Sequence, residues 1–272
     1  MPELPEVETT VRGLRAVLEG RRLERVELRR GDLRRPFPAD LGQRLTGARV
    51  TGLGRRAKYG LIETDRGDTL IFHLGMSGRW RIDPAEIGRH DHVLIDTDDG
   101  RRLSLNDPRR FGSLDLVATH EVAAWPTFRA LGPEPLGDAI NGEWLRARFA
   151  GRSAAVKLLL LDQRIVAGLG NIYVCEALFR ARIDPRKAAG KIGRARLDVL
   201  ASAIPAVLAD AIEAGGSSLR DFAAPDGELG YFSKQFDVYG REGEPCRGGC
   251  GGMVKRIVQG GRSTFFCPSC QR

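Results

Sequence analysis

The sequence predicts an α+β protein of more than one domain, in which an N-terminal antiparallel β-sandwich with a flanking helix precedes a helical module and a C-terminal β-hairpin. Three observations support this fold class. Short alternating runs separated by Asp-Gly turns fill residues 22–118, helical periodicity dominates after residue 140, and four of the five cysteines lie in the last 27 residues. We expect domains at 1–118, 141–236 and 237–272, with a linker at 119–140.

The first predicted element is an amphipathic helix over residues 5–19. Its apolar positions recur at helical spacing, and Gly20 is a typical helix end. These positions are Val7, Val11, Leu14, Val17 and Leu18. A helix packed on a core would hold the first residues of the chain rigidly, which a frayed terminus could not do.

Short strands follow the helix and are bounded by turn signals. Asp-Gly pairs between alternating runs predict tight hairpins, as at Asp98-Asp99-Gly100. The predicted strands are 25–28, 61–63, 69–73, 93–96, 102–105 and 113–117. This spacing is typical of an antiparallel sandwich or a flattened barrel with the first helix packed on it.

The second half of the chain is predicted to be helical, with helices at 142–150, 154–161, 171–182 and 192–214. The segment 162–170 is too long for the turn of a helix-turn-helix but long enough for two consecutive turns. Gly168 and Gly170 precede the helix that begins near Asn171, so its amides form either a seat for a phosphate or an ordinary helix start. Residues 215–230 are predicted to form a mobile loop, and a loop of this length inside a compact domain is usually either functional or disordered.

The charge of the 272-residue chain indicates an anionic partner. The formal net charge is +8 and the pI is near 9.6, and nucleic acid is the first candidate for such a chain. No apolar run approaches the ~20 residues of a membrane span, and the acidic N-terminus does not resemble a signal peptide. We therefore expect a cytosolic protein without a membrane partner.

Four cysteines predict a metal site. Cys246, Cys250, Cys267 and Cys270 form two short-spaced pairs on either side of a hairpin-length insert, a pattern typical of one structural, tetrahedral Zn²⁺. The alternative of two disulfides fits a cytosolic chain poorly. Arg262 lies beside the hairpin turn, where it either grips a phosphate or belongs to a solvated basic face. Cys175 is expected to be a buried small hydrophobe.

The first residues of the chain offer candidate catalytic groups. Removal of Met1 would expose the secondary amine of Pro2, and an α-amino group titrates near ~8, so more of it is neutral at neutral pH than for a lysine. Such an amine gives a cationic iminium when it adds to a sugar aldehyde carbon. Glu3 and Glu6 place two carboxylates beside it for proton transfer. The alternative is that Pro2 and Pro5 only start a helix.

Two glycine-bracketed loops could open a DNA duplex. A base within the double helix must be extruded before chemistry on it, and the hole is filled by apolar or planar side chains. Met76 lies on one loop, and Arg109 and Phe111 lie on the other. Core packing is the alternative for Met76 and Phe111, and a plain surface charge is the alternative for Lys58. We place His90 and His92 on an exposed loop, where His90 could touch a phosphate.

The chain resembles the bacterial formamidopyrimidine-DNA glycosylases, relatives of endonuclease VIII. The matching stretches run from end to end. They are PELPEVETTVRGL at 2–14, RRAKYG at 55–60, HLGMSG at 73–78, DPRRFG at 107–112, LGPEPL at 131–136, LLLDQRIVAGLGNIY at 159–173, GGSSLRDF at 215–222, VYGREGEPC at 238–246 and GGRSTFFCPSCQ at 260–271. The resemblance implies an N-terminal β-sandwich, a helix-two-turn-helix module and a zinc finger. It also implies a monomer in the bacterial cytoplasm, associated with the nucleoid through DNA binding.

The resemblance also implies an activity on double-stranded DNA: excision of oxidised purines such as 8-oxoguanine and formamidopyrimidines, followed by strand cleavage at the abasic site. Pro2 would attack C1′ and form the Schiff base, and Glu3 would donate a proton. Lys58 and Arg262 match residues that support β,δ-elimination and bind phosphates, and Asn171 matches a phosphate ligand. Met76, Arg109 and Phe111 match the residues that fill the void, among which Arg109 would read the orphaned cytosine. His90, Arg109 and Arg152 match other DNA contacts.

One departure concerns the metal site, where the first cysteine pair is C-x3-C rather than the usual C-x2-C. Glycines 248 and 249 can absorb the extra residue. Two other functions stay open at this point. One is an endonuclease VIII-like enzyme for oxidised pyrimidines, against which Leu4 argues because those enzymes commonly carry PEGPE. The other is a zinc-containing protein that binds lesions without catalysis.

Overall fold

The structure of this chain is a computed structural model that describes residues 2–217, 224, 225, 227 and 230–272. The described residues form two compact units. The first contains the chain up to Arg129 together with Ala214–Tyr231, and the second contains Ala130–Glu213 together with Phe232–Arg272. Residues 218–223, 226, 228 and 229 of the predicted 215–230 loop lie outside the described residues, as does Met1.

The first unit is a sandwich of two four-stranded antiparallel sheets with a helix packed on it. Helix α1 is Leu4–Leu18, and a short helix α2 is Leu41–Leu45. The strands are β1 Leu23–Leu28, β2 Val50–Arg56, β3 Tyr59–Thr64, β4 Asp68–His73, β5 Arg79–Ile82, β6 Asp91–Thr97, β7 Arg102–Asn106 and β8 Ser113–Ala118. A 3₁₀ helix at Thr119–Ala124 and a short helix α3 at Pro126–Arg129 follow.

The two sheets have the strand orders β1-β6-β7-β5 and β2-β3-β4-β8. Apolar side chains from their inner faces and from α1 form one continuous core, in which Leu14, Phe72 and Trp80 are each at most 1% exposed. The prediction that α1 packs its apolar face on the core is confirmed, because Val7, Val11, Leu14 and Leu18 are buried.

The second unit contains helices and the C-terminal hairpin. The helices are α4 Gly142–Phe149, α5 Val156–Leu160, α6 Asn171–Arg180 and α7 Arg194–Glu213, with 3₁₀ turns at Ala189–Lys191 and Phe232–Gln235. Strands β9 Lys255–Gln259 and β10 Arg262–Phe266 form the hairpin. Gly260 and Gly261 both have positive φ, as a two-residue type I′ turn requires.

The predicted fold class is confirmed, and the predicted helices start and end within two residues of the observed ones. Two strands escaped prediction. Strand β2 has the sequence Val-Thr-Gly-Leu-Gly-Arg-Arg, whose glycines and arginines hide the alternation, and β5 is only four residues long. Within the described chain, no helix has both the length and the apolar character needed to cross a membrane.

Candidate functional site

Residues 2–6 are all buried at the start of α1. Glu3 is 2% exposed and Glu6 is 1% exposed. Glu6 Oε2 accepts a hydrogen bond from the Glu3 backbone N–H at 2.8 Å, which is one arm of a capping box. Glu6 Oε1 accepts bonds from the backbone N–H and the hydroxyl of Ser217, at 2.9 and 2.8 Å. The residues around Pro2 are therefore held both by the first helical turn and by the segment that follows α7.

Two contacts fix the direction in which α1 crosses the sheet. The Glu8 carboxylate lies 3.0 Å from Arg55 Nε, and about two turns further along the helix Arg15 Nη2 donates to the Leu53 carbonyl at 2.6 Å. Because β2 runs from Leu53 towards Arg55, α1 must begin near the end of β2 that leads into β3. Lys58 lies in that β2–β3 turn and is 8% exposed.

The environment of Lys58 includes His73, the last residue of β4. His73 pairs with Tyr59 across the sheet, and the two rings are 4.8 Å apart between centroids. Burial first, and then the positive charges of Lys58, Arg34 and Arg35, lower the pKa of His73 to about 4. The neutral ring accepts a hydrogen bond at Nδ1 from the Gly75 N–H at 3.0 Å. His73 is therefore a neutral structural group at the base of the next loop.

Two loops cross from one sheet to the other at this same end of the sandwich. Residues 74–78 join β4 to β5, and residues 107–112 join β7 to β8; Arg79 pairs with Asn106 and His73 pairs with Ser113. The first loop carries Met76, which is half-buried, and the second carries Arg109 and Phe111.

Phe111 is a surface residue, with 43% of its area exposed. The Arg109 guanidinium lies 4.8 Å from the centre of its ring, within range of a cation–π contact. One end of the first unit thus gathers the start of α1, the Lys58 turn and both loops. The Phe111 and Arg109 side chains are presented to solvent at this end.

The two predicted loop histidines lie in different environments. His90 is partly exposed, and its Nε2 lies 2.9 Å from Arg89 Nε. The expectation that His92 lies on an exposed loop is wrong, because His92 belongs to β6, is 4% exposed and bonds through Nε2 to the Asp107 carbonyl at 2.9 Å. Strand β6 buries its polar start, Asp91 and His92, together with the apolar residues that follow, and a polar pair gives no sign of a buried strand in the sequence.

In the second unit, Asn171 is the first residue of α6, as the Gly168-Leu169-Gly170 sequence predicted. Its Nδ2 donates to the Ser263 carbonyl at 2.9 Å. Its Oδ1 is buried and accepts no hydrogen bond from the described residues. The α6 start therefore adjoins β10, where Arg262 precedes Ser263 and is exposed. Arg152 is also exposed, after α4.

The four predicted zinc ligands lie together. Their sulfur atoms are all within 4.8 Å of one another, with Cys246–Cys270 at 3.6 Å and Cys250–Cys267 at 3.5 Å. A tetrahedral site with Zn–S bonds of ~2.3 Å needs sulfurs ~3.8 Å apart, whereas a disulfide needs ~2.05 Å. The set therefore fits one Zn²⁺ with four thiolates and no open position, which is a structural site.

The glycines of the C-x3-C segment explain how it tolerates the longer spacing. The backbone N–H groups of Gly248 and Gly252 donate to Cys246 Sγ and Cys250 Sγ at 3.3 and 3.4 Å. Gly249 has a φ of 70°, a conformation that glycine adopts without strain. A Cβ on Gly248 would lie 3.1 Å from Cys270 Sγ, so a side chain there would require that sulfur to move by a few tenths of an ångström.

Two buried charged residues of the second unit were missed from the sequence. Lys157 is 0% exposed, and its Nζ donates to the Ser263 carbonyl at 3.0 Å and to Thr264 Oγ1 at 2.6 Å. The Glu176 carboxylate accepts from the backbone N–H groups of residues 237, 238 and 239 at 2.8–3.0 Å. Each interrupts an otherwise apolar helical run, and that isolation is a signal that could have identified it.

Three family models match the chain. They are the formamidopyrimidine-DNA glycosylase N-terminal domain at residues 1–114, the H2TH domain of the same enzymes at 131–223, and a zinc finger found in these enzymes and in IleRS at 243–272. The chain belongs to the formamidopyrimidine-DNA glycosylase family.

Cys175 is, as expected, a buried residue outside the zinc site. It is 1% exposed and packs in the same apolar cluster as the zinc ligands Cys246 and Cys267.

Individual relatives agree with this assignment. The chain is 69% identical to the formamidopyrimidine-DNA glycosylase of Rhizorhabdus wittichii and 68% identical to that of Novosphingobium aromaticivorans, in each case over all of both chains. Among solved structures, a Lactococcus lactis Fpg mutant bound to Fapy-dG-containing DNA matches with a TM-score of 0.91 at 35% identity over all of both chains. The MutM (FPG) protein of Thermus thermophilus matches with a TM-score of 0.89 at 41% identity, over 99% of this chain and 98% of that one.

The neutral state of His73 predicts acid sensitivity. The unfolded chain binds a proton at this histidine near pH 6.5, whereas the folded protein does so only near pH 4. The unfolded state therefore binds more protons between these values, so stability falls as pH falls, by up to about 3 kcal/mol from this group. Urea unfolding between pH 7 and pH 4 measures the slope. The slope should decrease in His73→Gln and stay unchanged in His120→Gln, whose ring is solvent-exposed; parallel curves for all three proteins would contradict the assignment.

The cysteine geometry predicts one tightly held zinc. The zinc affinity of Cys250→Ser, measured by competition with a chelator, should be more than about a hundredfold lower than that of the wild type. Loss of a metal ligand costs more affinity than loss of a residue that only contacts a ligand. Cys175→Ala is the matched control and should keep one zinc per chain, since Cys175 packs beside the site without belonging to it. Atomic emission after dialysis gives the stoichiometry. Equal zinc loss in both variants would show that packing, not ligation, holds the metal.

Proposed function

We propose that this protein is a base-excision repair enzyme that removes oxidised purines, 8-oxoguanine and formamidopyrimidines among them, and then cleaves the DNA strand at the abasic site. The observation that carries the proposal is the buried, hydrogen-bonded start of α1, where Pro2 and Glu3 adjoin the end of the sheet that holds Lys58. A nucleophile at a chain terminus is useful only when its position is fixed, and Glu6 fixes this one.

The chemistry begins with Pro2 once Met1 has been removed. Its secondary amine attacks C1′ of the damaged nucleotide as the glycosidic bond breaks, and the base leaves with the bonding electrons and the proton of the amine. The C1′–O4′ bond then breaks, O4′ takes a proton from Glu3, and the nitrogen lone pair forms the C1′=N⁺ bond of the iminium. The resulting iminium cation draws electrons from the sugar, so that loss of a C2′ proton expels the 3′ phosphate and a further elimination expels the 5′ phosphate. Glu3 is the proton donor in this scheme, and Lys58 and Arg262 support the eliminations.

The remaining site residues are proposed to bind DNA. Lys58, Arg262 and Asn171 hold phosphates, with His90 and Arg152 as further backbone contacts. Met76, Arg109 and Phe111 fill the space that the extruded nucleotide leaves, and Arg109 reads the orphaned cytosine. Zinc takes no part in the reaction and stabilises the hairpin that carries Arg262. We also propose that the domains span residues 1–118, 141–236 and 237–272, with a linker at 119–140, and that the protein associates with the bacterial nucleoid.

Borohydride trapping tests the nucleophile. Reduction of the iminium should link the protein covalently to DNA that contains 8-oxoguanine, and a variant with one residue added before Pro2 should lose the linked species, at least about a hundredfold, because its Pro2 nitrogen is an amide. Denaturing electrophoresis measures the adduct.

Extension at the other terminus is the matched control, since one residue added after Arg272 changes chain length without touching α1. That protein should trap DNA as the unmodified one does. Normal trapping by the N-terminally extended variant would mean that another amine is the nucleophile.

An endonuclease VIII-like preference for oxidised pyrimidines is the second candidate. A specific observation keeps it in view, because Lactococcus lactis Fpg has also been solved with DNA that contains an oxidised pyrimidine, and it matches this chain with a TM-score of 0.90. Leu4 argues against it, since this chain reads PELPE and the Leu4 side chain is 0% exposed in the core. Side-by-side excision rates should favour 8-oxoguanine over thymine glycol by at least about tenfold. The reverse order would support the alternative, and DNA binding without any trapping would indicate a non-catalytic lesion-binding protein.

A further inference from the structure

The carboxylate of Asp107 connects the two loops that cross between the sheets. It is 0% exposed. Its Oδ1 accepts from the Ser77 hydroxyl of the first loop at 2.7 Å, and its Oδ2 accepts from the Gly112 N–H of the second loop at 2.8 Å. One buried carboxylate is thus shared between the loop of Met76 and the loop of Arg109 and Phe111.

Ser77 extends this connection to the backbone of Arg109. The Ser77 oxygen, while donating to Asp107, accepts a hydrogen bond from the Arg109 N–H at 3.2 Å. Ser77 is itself 6% exposed. The hydroxyl therefore lies between the carboxylate and the residue proposed to read the orphaned base, and no other described side chain is hydrogen-bonded to the Arg109 N–H.

Direct backbone contact between the loops supports the same conclusion. A Cβ added to Gly75 would lie 2.3 Å from the Phe111 carbonyl carbon and 2.5 Å from the Gly112 nitrogen. The first loop therefore passes against the second with no room for a side chain. Gly75 also has a φ of 61°, so both space and conformation require glycine there.

A third segment is tied to the same residue. The Asp107 N–H donates to the His90 carbonyl at 3.0 Å, and the Asp107 carbonyl accepts from His92. The segment that carries His90 is thus held by the backbone of Asp107, while the two crossing loops are held by its side chain.

We propose that Ser77 and Asp107 form a clamp, here called the Ser77–Asp107 clamp, that fixes Met76, Arg109 and Phe111 relative to one another before DNA binds. Ser77 is then a positioning residue for duplex substrates. This inference rests on the proposed function, since it assigns a cause to the geometry of the void-filling side chains. Loops that are already ordered pay less conformational entropy when they enter a duplex, so loss of the clamp should be costly only where a void must be filled.

Ser77→Ala tests the clamp with two substrates. Excision of 8-oxoguanine from a duplex, opposite cytosine, should slow by about tenfold to a hundredfold, because small displacements of positioning groups have effects of this size. Cleavage of an abasic site in a single strand should stay within about twofold of wild type, since a single strand has neither a partner base nor a void. Equal slowing on both substrates, or no slowing on either, would overturn the proposal.

Thr97→Val is the matched control. Its hydroxyl also donates to a carboxylate, Asp99 Oδ1 at 2.6 Å, but in the hairpin at the opposite end of β6 and β7. This variant loses a comparable hydrogen bond in the same unit and should keep the wild-type ratio of duplex to single-strand rates. A ratio shifted as in Ser77→Ala would mean that any loosening of the sandwich produces the effect.

A double-mutant cycle separates positioning from general stability. If Ser77 acts through the void-filling side chains, Ser77→Ala should slow duplex excision by less than about threefold when Phe111 is already alanine. Additive effects would overturn the clamp, and they can be read because Phe111 is exposed and its truncation spares the core. If wild-type protein cleaves neither substrate, the proposed function fails and the clamp falls with it, whereas active wild-type protein with an unaltered Ser77→Ala variant overturns the clamp alone.

Discussion

The hydrogen bonding of the Glu6 carboxylate is the constraint on which the position of the proposed catalytic residues depends. The carboxylate is buried, and the hydrogen bonds that it accepts include one from the Glu3 N–H and two from Ser217. A buried carboxylate is costly unless such donors surround it, so each partner is held in place by the penalty that its departure would impose. The start of α1 and the segment after α7 are therefore fixed together, although 211 residues separate Glu6 from Ser217 in the sequence.

The same device recurs at the other sites. Asp107 joins two loops, Glu176 gathers the three amides that precede the zinc finger, and Lys157 binds the strand next to Arg262. In each case the side chain of a buried Asp, Glu or Lys joins two segments that are distant in the sequence. Irregular segments have few apolar contacts of their own, and directional bonds to a charged group hold them more firmly than packing alone could.

The sequence predicted regular elements better than it predicted these connections. Periodicity located α1, and the cysteine spacing identified the zinc site, because both signals are local. The Asp107–Ser77 and Glu6–Ser217 pairs join residues 30 and 211 positions apart, and nothing in either segment identifies the other. The motifs HLGMSG and DPRRFG identified the two loops, but neither motif indicates that Ser77 and Asp107 face each other. The prediction that His92 lies on an exposed loop was wrong for a related reason, since the polar start of a strand resembles a loop until its partner strand is known.

Zinc stabilises the position of strand β10 and takes no part in the proposed reaction. Its ligands Cys267 and Cys270 follow β10 directly, while Lys157 and Asn171 hold Ser263 from two helices of the same unit. Strand β10 is therefore fixed at one end by the metal and near the other by hydrogen bonds to Ser263. Arg262 lies next to that second attachment, at a two-glycine turn that has no core of its own. A structural metal far from the turn can thus determine where the arginine lies, because a two-stranded hairpin is marginal in water and needs a staple to persist.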